Sequence, residues 1–285
     1  MSGRATARIG GRMSQTHSEP VAGGTAGQRR GETAIVTGGA KRIGAAMARA
    51  LAADGWDILL HYNTSAPQAQ ALADELCAAG AHVACVAADL ADPEAAEAII
   101  AASRTLSPPG LLVNSASRFV YDRLEDFETA DFDVHMAVNL RAPALLIRAF
   151  AREVAARGAV HLQPALVVNL LDAKLASLNP DYFTYTLSKI GFEGLTELAA
   201  RSFAPHLRVA GIAPAVTLVS GPQSRENFEA VHAMNPLRRG VAVEEVVAAL
   251  RFIIATPTYN AQTIVLDGGQ RLLGLPRDVA HMVDL

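Results

Sequence analysis

The chain has 285 residues and a formal net charge of −3, with 51% hydrophobic and 19% charged residues. That length allows one large or two small domains with a buried core, and the weakly acidic balance lacks the concentrated basic face of a nucleic-acid-binding domain. The two unpatterned cysteines, Cys77 and Cys85, exclude a thiolate metal cluster and fit a reducing, cytoplasmic setting, and no apolar run is long enough to span a bilayer.

The first thirty or so residues are rich in Gly, Ser, Thr and Arg and show no apolar periodicity or secretory core. This composition predicts a flexible tail over residues 1–31, with an Arg-rich organelle leader as the alternative, and a single domain over 32–285. In chain order, TAIVT (33–37) is followed by RIGAAMARALAADG, and DILLHY (57–62) by PQAQALADELCAAG. HVACVAAD (82–89) is followed by PEAAEAIIAASRTL, and LLVNSA (111–116) leads through a loop into one long helical stretch, 131–158. ALVVNLL (165–171) precedes DYFTYTLSKIGFEGLTELAARSFA, LRVAGIAP (207–214) precedes a polar segment and VEEVVAALRFIIATP, and TIVLDGG (263–269) is the last strand candidate. Continuous apolar strands alternating with helices predict a doubly wound, parallel seven-stranded sheet of Rossmann type. Gly55, Gly80 and Gly158 stand where helices should end, and Pro67 and Pro93 where helices should start.

The first strand candidate runs into TGGAKRIG, Thr37 to Gly44, and then directly into a helix. A strand, a glycine turn and a helix N-terminus together form an anion cradle: backbone N–H groups face the phosphates and the helix dipole favours negative charge. An ordinary turn between a strand and a helix is the bland alternative. The second strand candidate ends HYNTS without an acid, which permits a ribose 2′-phosphate that a carboxylate would repel, and Lys41 adds positive charge. Both features favour NADPH. His61 and Tyr62 read as strand-end packing.

From Thr33 to about Leu273 the chain resembles the short-chain dehydrogenase/reductase family. TGGAKRIG matches the family's TGxxxGxG except that Arg42 stands at the middle glycine, as in its pteridine reductase and dihydromonapterin reductase branch. HYNTS resembles that branch's HYxRS with Thr64 in place of arginine, and NSAS (114–117) resembles the family's NNAG. The resemblance implies cofactor contacts from Gly38, Lys41, Arg42, Ile43, Gly44, Asn63, Ser65, Asp89, Leu90, Asn114, Ala116 and Thr217, together with Tyr185 and Lys189. Asp89 is also suited to capping a helix. The stretch Leu218–Leu237, with Gly, Pro and few apolar residues at its start, reads as a substrate lid, and the resemblance further implies a homotetramer.

Tyr185 and Lys189 lie four residues apart and so share one helix face. The chain holds 22 arginines but only three lysines, Lys41, Lys174 and Lys189, so a lysine at such a position is conspicuous. An ammonium beside a phenol is expected to lower the phenol's ordinary value near 10 and let it deliver a proton. In the family the lysine also holds the nicotinamide ribose. Asn139 matches the asparagine that holds a relay water, with a main-chain hydrogen bond as its alternative role.

Asp172 lies thirteen residues before Tyr185, where most of the family carries serine. A serine hydroxyl donates to a developing oxyanion, whereas an ionised carboxylate repels one and suits a substrate that presents N–H groups or takes a proton on nitrogen. Pteridine reductases carry aspartate there. The alternatives for Asp172 are a cap on the following loop or a pair with Lys174. By the same resemblance Phe119 would stack a pterin and Ser117 would hydrogen-bond it, although Phe119 could also simply pack. The expectation is an NADPH-dependent reductase of a pterin C=N bond, with catalytic Asp172, Tyr185, Lys189 and Asn139 and no metal. An ordinary carbonyl reductase and a non-catalytic nucleotide sensor are the competing readings.

Overall fold

A computed structural model of the chain describes residues 31–156, 164–219 and 223–283. The expected tail (1–31, except Gly31) and the helix stop at Gly158 lie outside the described residues. The strands are β1 (Thr33–Thr37), β2 (Asp57–Tyr62), β3 (Val83–Ala87), β4 (Pro109–Asn114), β5 (Ala165–Leu170), β6 (Leu207–Pro214) and β7 (Thr263–Leu266). They form one sheet in the order β3-β2-β1-β4-β5-β6-β7, with every neighbouring pair parallel. The Rossmann-type fold expected from the alternating pattern is therefore present. The helices are α1 (Arg42–Ala53), α2 (Ala66–Ala78), α3 (Ala95–Ser103), α4 (Thr129–Met136), α5 (Ala142–Ala156), α6 (Phe183–Phe203), α7 (Arg225–His232) and α8 (Val243–Ala255).

Alternate residues of the strands feed two cores. Val36, Leu60, Val113, Val168 and Ile212 face Met47, Leu51, Val246 and Leu250 of α1 and α8. Their neighbours Ile35, Leu59, Leu112, Val167 and Val209 face Ile99, Leu146, Phe150 and Ala199 of α3, α5 and α6. Helices on both faces explain why the central strands carry apolar residues toward both faces rather than only at every second position. The edge strand β3 is partly exposed. Gly55 and Gly80 take φ values of +87° and +93°, which suit glycine at a helix end.

Two expectations are corrected. The helix expected as one piece over 131–158 is broken: a π-helical turn, Ala137–Arg141, separates α4 from α5. Pro143 has no N–H to give to the carbonyl of Asn139 four residues back, so regular helical bonding fails there. Pro93 stands in the turn ahead of α3, and not at its first residue.

The strand order reverses between β1 and β4, and the C-terminal ends of the strands there open a crevice. Both the glycine turn and the Tyr185 segment lie along it.

Candidate active site

A cleft of about 820 Å³ runs along the C-terminal edge of the sheet. Of the residues expected at the site, Gly38, Lys41, Arg42, Ile43, Gly44, Asn63, Ser65, Asp89, Leu90, Ala116, Ser117, Phe119, Asp172, Tyr185, Lys189 and Thr217 line it. Asn114 and Asn139 do not line it; they are buried beneath it. All three lysines of the chain face this one cleft.

One end is built from main chain. Gly38 has φ +62°, and a Cβ there would come within 2.9 Å of the Ala116 Cα. A Cβ on Gly44 would lie 2.3 Å from the Gly38 carbonyl oxygen, so the turn closes only with glycine at both positions. α1 begins at this turn with no side chain capping it and no acid in its first turn. Its first amides and its dipole therefore remain available to an anion. His61 braces the turn: Nδ1 accepts from the Gly38 N–H (3.2 Å) and Nε2 faces the Ala88 carbonyl (3.1 Å). Burial lowers its pKa, consistent with a neutral packing histidine. Asp89 accepts from the Ala91 N–H (2.9 Å), a local turn contact. Arg42, at φ 56°, donates to the Val219 carbonyl (2.6 Å) in the segment after β6. Thr217 donates to the Ala215 carbonyl (2.8 Å). Asn114 donates to Asn169 (2.9 Å), and its own Oδ1 has no hydrogen-bond partner among the described residues.

The other end is built from side chains. Asp122 positions the start of α6, accepting from the Thr184 N–H (3.0 Å) and from the Thr184 hydroxyl. This places Tyr185 and Lys189 on the inward face. Tyr185 donates to Asp172 Oδ2 (2.7 Å), while Asp172 Oδ1 accepts from the Lys174 N–H (2.8 Å). Asp172 thus does two things: one oxygen caps the short helix Ala173–Ala176 and the other holds the phenol. The alternative side-chain pairing with Lys174 is not formed. The Lys174 ammonium instead donates to the Asp181 carbonyl and lies 3.7 Å from Asp278.

Burial raises the Asp172 carboxyl above the usual carboxylate range, against the opposing pull of the Lys174 N–H, the Tyr185 hydroxyl and Lys189. Burial, and then the Asp172 charge, push Tyr185 well above the usual phenol value. The expected lowering of Tyr185 by Lys189 is therefore corrected. Lys189 lies 5.7 Å from the ring centre and donates to the Leu170 carbonyl (2.7 Å), and burial brings it down to about 8, partly offset by Asp172. Tyr185 rests as a neutral acid, not as a phenolate.

Asn139 is a clamp. Its Oδ1 accepts from the Arg118 N–H (2.8 Å) and Ser117 Oγ (3.2 Å), and its amide donates to the Arg118 carbonyl (2.9 Å) and Ser188 Oγ (3.0 Å). With both ends of the side-chain amide engaged, Asn139 pins the 117–118 loop to α6. Phe119 is 41% exposed, lies flat on Tyr182 (4.3 Å between ring centres, 16°) and meets Tyr185 edge-on (4.7 Å). Tyr182, Asp181 and Arg277, all close to this wall, carry no local sequence signal that marks them.

A family model described as enoyl-(acyl carrier protein) reductase matches residues 38–271, from the glycine turn through the last strand. The chain belongs to the short-chain dehydrogenase/reductase family. This oxidoreductase is 30% identical to pteridine reductase 1 of Leishmania tarentolae, over 84% of this chain and 96% of that protein. It is also 30% identical to L-xylulose reductase of Mesocricetus auratus, with the same shares covered. Among solved structures, FolM alternative dihydrofolate reductase 1 from Brucella canis, complexed with NADP, is 36% identical and superposes with a TM-score of 0.79, covering 85% of this chain and 94% of that one. No helix among the described residues is long and apolar enough to cross a membrane.

Proposed function

We propose that this short-chain reductase uses NADPH to reduce a C=N bond of a pterin-like heterocycle. The observation that carries this reading is the 2.7 Å hydrogen bond from Tyr185 to Asp172 in the wall of the cleft. The glycine turn fits a dinucleotide: it is closed to any Cβ, and the helix behind it begins uncapped. Gly38, Lys41, Arg42, Ile43 and Gly44 would hold the pyrophosphate side. Asn63 and Ser65 would hold the 2′-phosphate side, with Asp89 and Leu90 beyond them. Ala116 and Thr217 would flank the nicotinamide, with Asn114 bracing the strand end beneath. The bound dinucleotide supplies a hydride.

The chain's own groups supply the rest. Tyr185, kept neutral by burial, gives its proton to the ring nitrogen. Asp172, with its raised proton affinity, takes N–H groups from the substrate when ionised, and gives a proton back to the tyrosine oxygen when protonated. Lys189, buried and held on the Leu170 carbonyl, adds a positive charge 5.7 Å from the Tyr185 ring centre. Phe119, supported by Tyr182, offers a flat apolar face to the heterocycle.

A carbonyl reductase is the second reading. The relationship to L-xylulose reductase favours it, as does the raised proton affinity of Asp172, since a protonated carboxyl donates to an oxyanion. Following NADPH oxidation with dihydropterins and with simple ketones separates the two. Asp172→Ser is expected to lower dihydropterin reduction by about 100-fold while NADPH affinity stays within about twofold. Equal activity in the two proteins would refute the role given to Asp172.

A further inference from the structure

The C-terminal segment Leu275–Ala280 forms part of the cleft wall, although it lies far along the chain from the residues beside it. A buried carboxylate, Asp181, gathers several of its contacts. Asp181 is fully buried in the loop before α6, four residues ahead of Tyr185. Arg277 Nε donates to both of its oxygens, at 2.7 and 2.9 Å, and the Asp278 N–H adds a third bond at 2.8 Å. The Tyr121 hydroxyl donates to Asp181 (3.2 Å) and accepts from Arg277 (3.3 Å). Although burial alone would raise Asp181, these partners pull it down to about 2, so the pair is ionised across the working range.

The contacts all fall at the substrate end. Asp278 faces the Lys174 ammonium, and the His281 ring lies over Tyr182 and meets Tyr121 edge-on. Tyr182 is the ring that carries Phe119. From the other side, Asn227 of α7 donates to the carbonyls of Ala280 (3.3 Å) and Val283 (3.1 Å), tying the segment to the expected lid. A buried carboxylate stripped of its partner is costly, so losing Arg277 forces either protonation of Asp181 or release of the segment toward water.

We propose that Asp181 and Arg277 are specificity-determining positioning residues, whose ion pair clasps the C-terminal segment against the Tyr182–Phe119 face and so sets the width of the substrate pocket. The inference rests on the reductase reading of the cleft, but not on which substrate is reduced.

The test uses full-length Arg277→Ala beside the wild type, with whichever substrate the wild type turns over, dihydropterin or ketone. The substrate KM is expected to rise about tenfold while the NADPH KM stays within about twofold, and Arg277→Lys should recover part of the loss. In the cofactor-free protein, amides 278–280 should exchange hydrogen at least about tenfold faster than in the wild type. An unchanged substrate KM, an equal rise for both ligands, or unchanged exchange would overturn the clasp. Should Arg277→Ala fail to fold, Tyr121→Phe removes only the hydroxyl that bridges the pair, and an exchange rate unchanged there overturns it as well. If the wild type reduces ketones but no dihydropterin, the pterin reading fails while the clasp is still tested.

Discussion

The two ends of the cleft are made of different material. At the β1–α1 end the ligand surface is main chain: a glycine turn closed to side chains, uncapped helix amides, and a histidine that braces the backbone. At the β5–α6 end it is a set of ionisable side chains, Asp172, Tyr185, Lys174 and Lys189, each shifted by burial and by its neighbours. The first kind of surface recognises a phosphate whatever is attached to it. The second discriminates, because a half-buried charge must be matched by the substrate or must change its protonation state. Cofactor binding and substrate chemistry should therefore separate under mutation.

The strongest separation is expected at Tyr185. Tyr185→Phe removes the acid and the hydrogen bond to Asp172 but keeps the ring under Phe119. Turnover should fall about 1,000-fold, within the range of a lost general acid, while NADPH affinity changes by no more than about twofold. Fluorescence titration of the cofactor beside single-turnover kinetics gives both numbers. A comparable loss of NADPH affinity would show that the two ends are not independent.

Lys189 gives a smaller effect with a distinctive sign. Burial lowers it to about 8 from its ordinary 10.5, so the ammonium is lost as pH rises through 8. Where chemistry limits the rate, kcat should decline about tenfold per pH unit above that point. Stability moves the other way. Between about 8 and 10.5 the unfolded chain binds the proton and the folded chain does not, so this residue's contribution to stability increases with pH across that window. Lys189→Met should remove that slope from the difference between denaturation curves at pH 8 and pH 10. Activity and stability that fall together, with the same slope in the variant, would mean that another group is titrating.

The same contrast explains what the sequence disclosed. The glycine turn, the strands and the Tyr185–Lys189 spacing are local patterns: a strand is apolar because helices cover both faces, and a turn closes because a Cβ would collide. Asp172 could be singled out by its distance from Tyr185, but its double hydrogen bond could not. The break at Ala137–Arg141 was hidden because its cause, the missing N–H of Pro143, sits inside a stretch otherwise rich in helix formers. Asp181 and Arg277 are 96 residues apart, and nothing in the composition near either points to the other. Their pairing follows only from how the chain returns over α6. The main-chain end was thus largely readable, whereas the side-chain end depends on long-range pairs.

The mildest change tests whether the main-chain end can be sharpened by a single charge. Thr64 is exposed at the cleft mouth between Asn63 and Ser65, where the resembling HYxRS run carries arginine. Thr64→Arg places a guanidinium there with no buried neighbour to displace. An exposed ion pair is worth at most about 1 kcal/mol, so NADPH should bind up to about fivefold tighter. If the added charge meets only the 2′-phosphate, NADH affinity should not move, and the gain should shrink as salt is raised. Titrating both cofactors at low and high ionic strength reads this directly. An equal gain for NADH would mean that the arginine acts on the shared pyrophosphate, and the end of β2 would then have no part in choosing between the two cofactors.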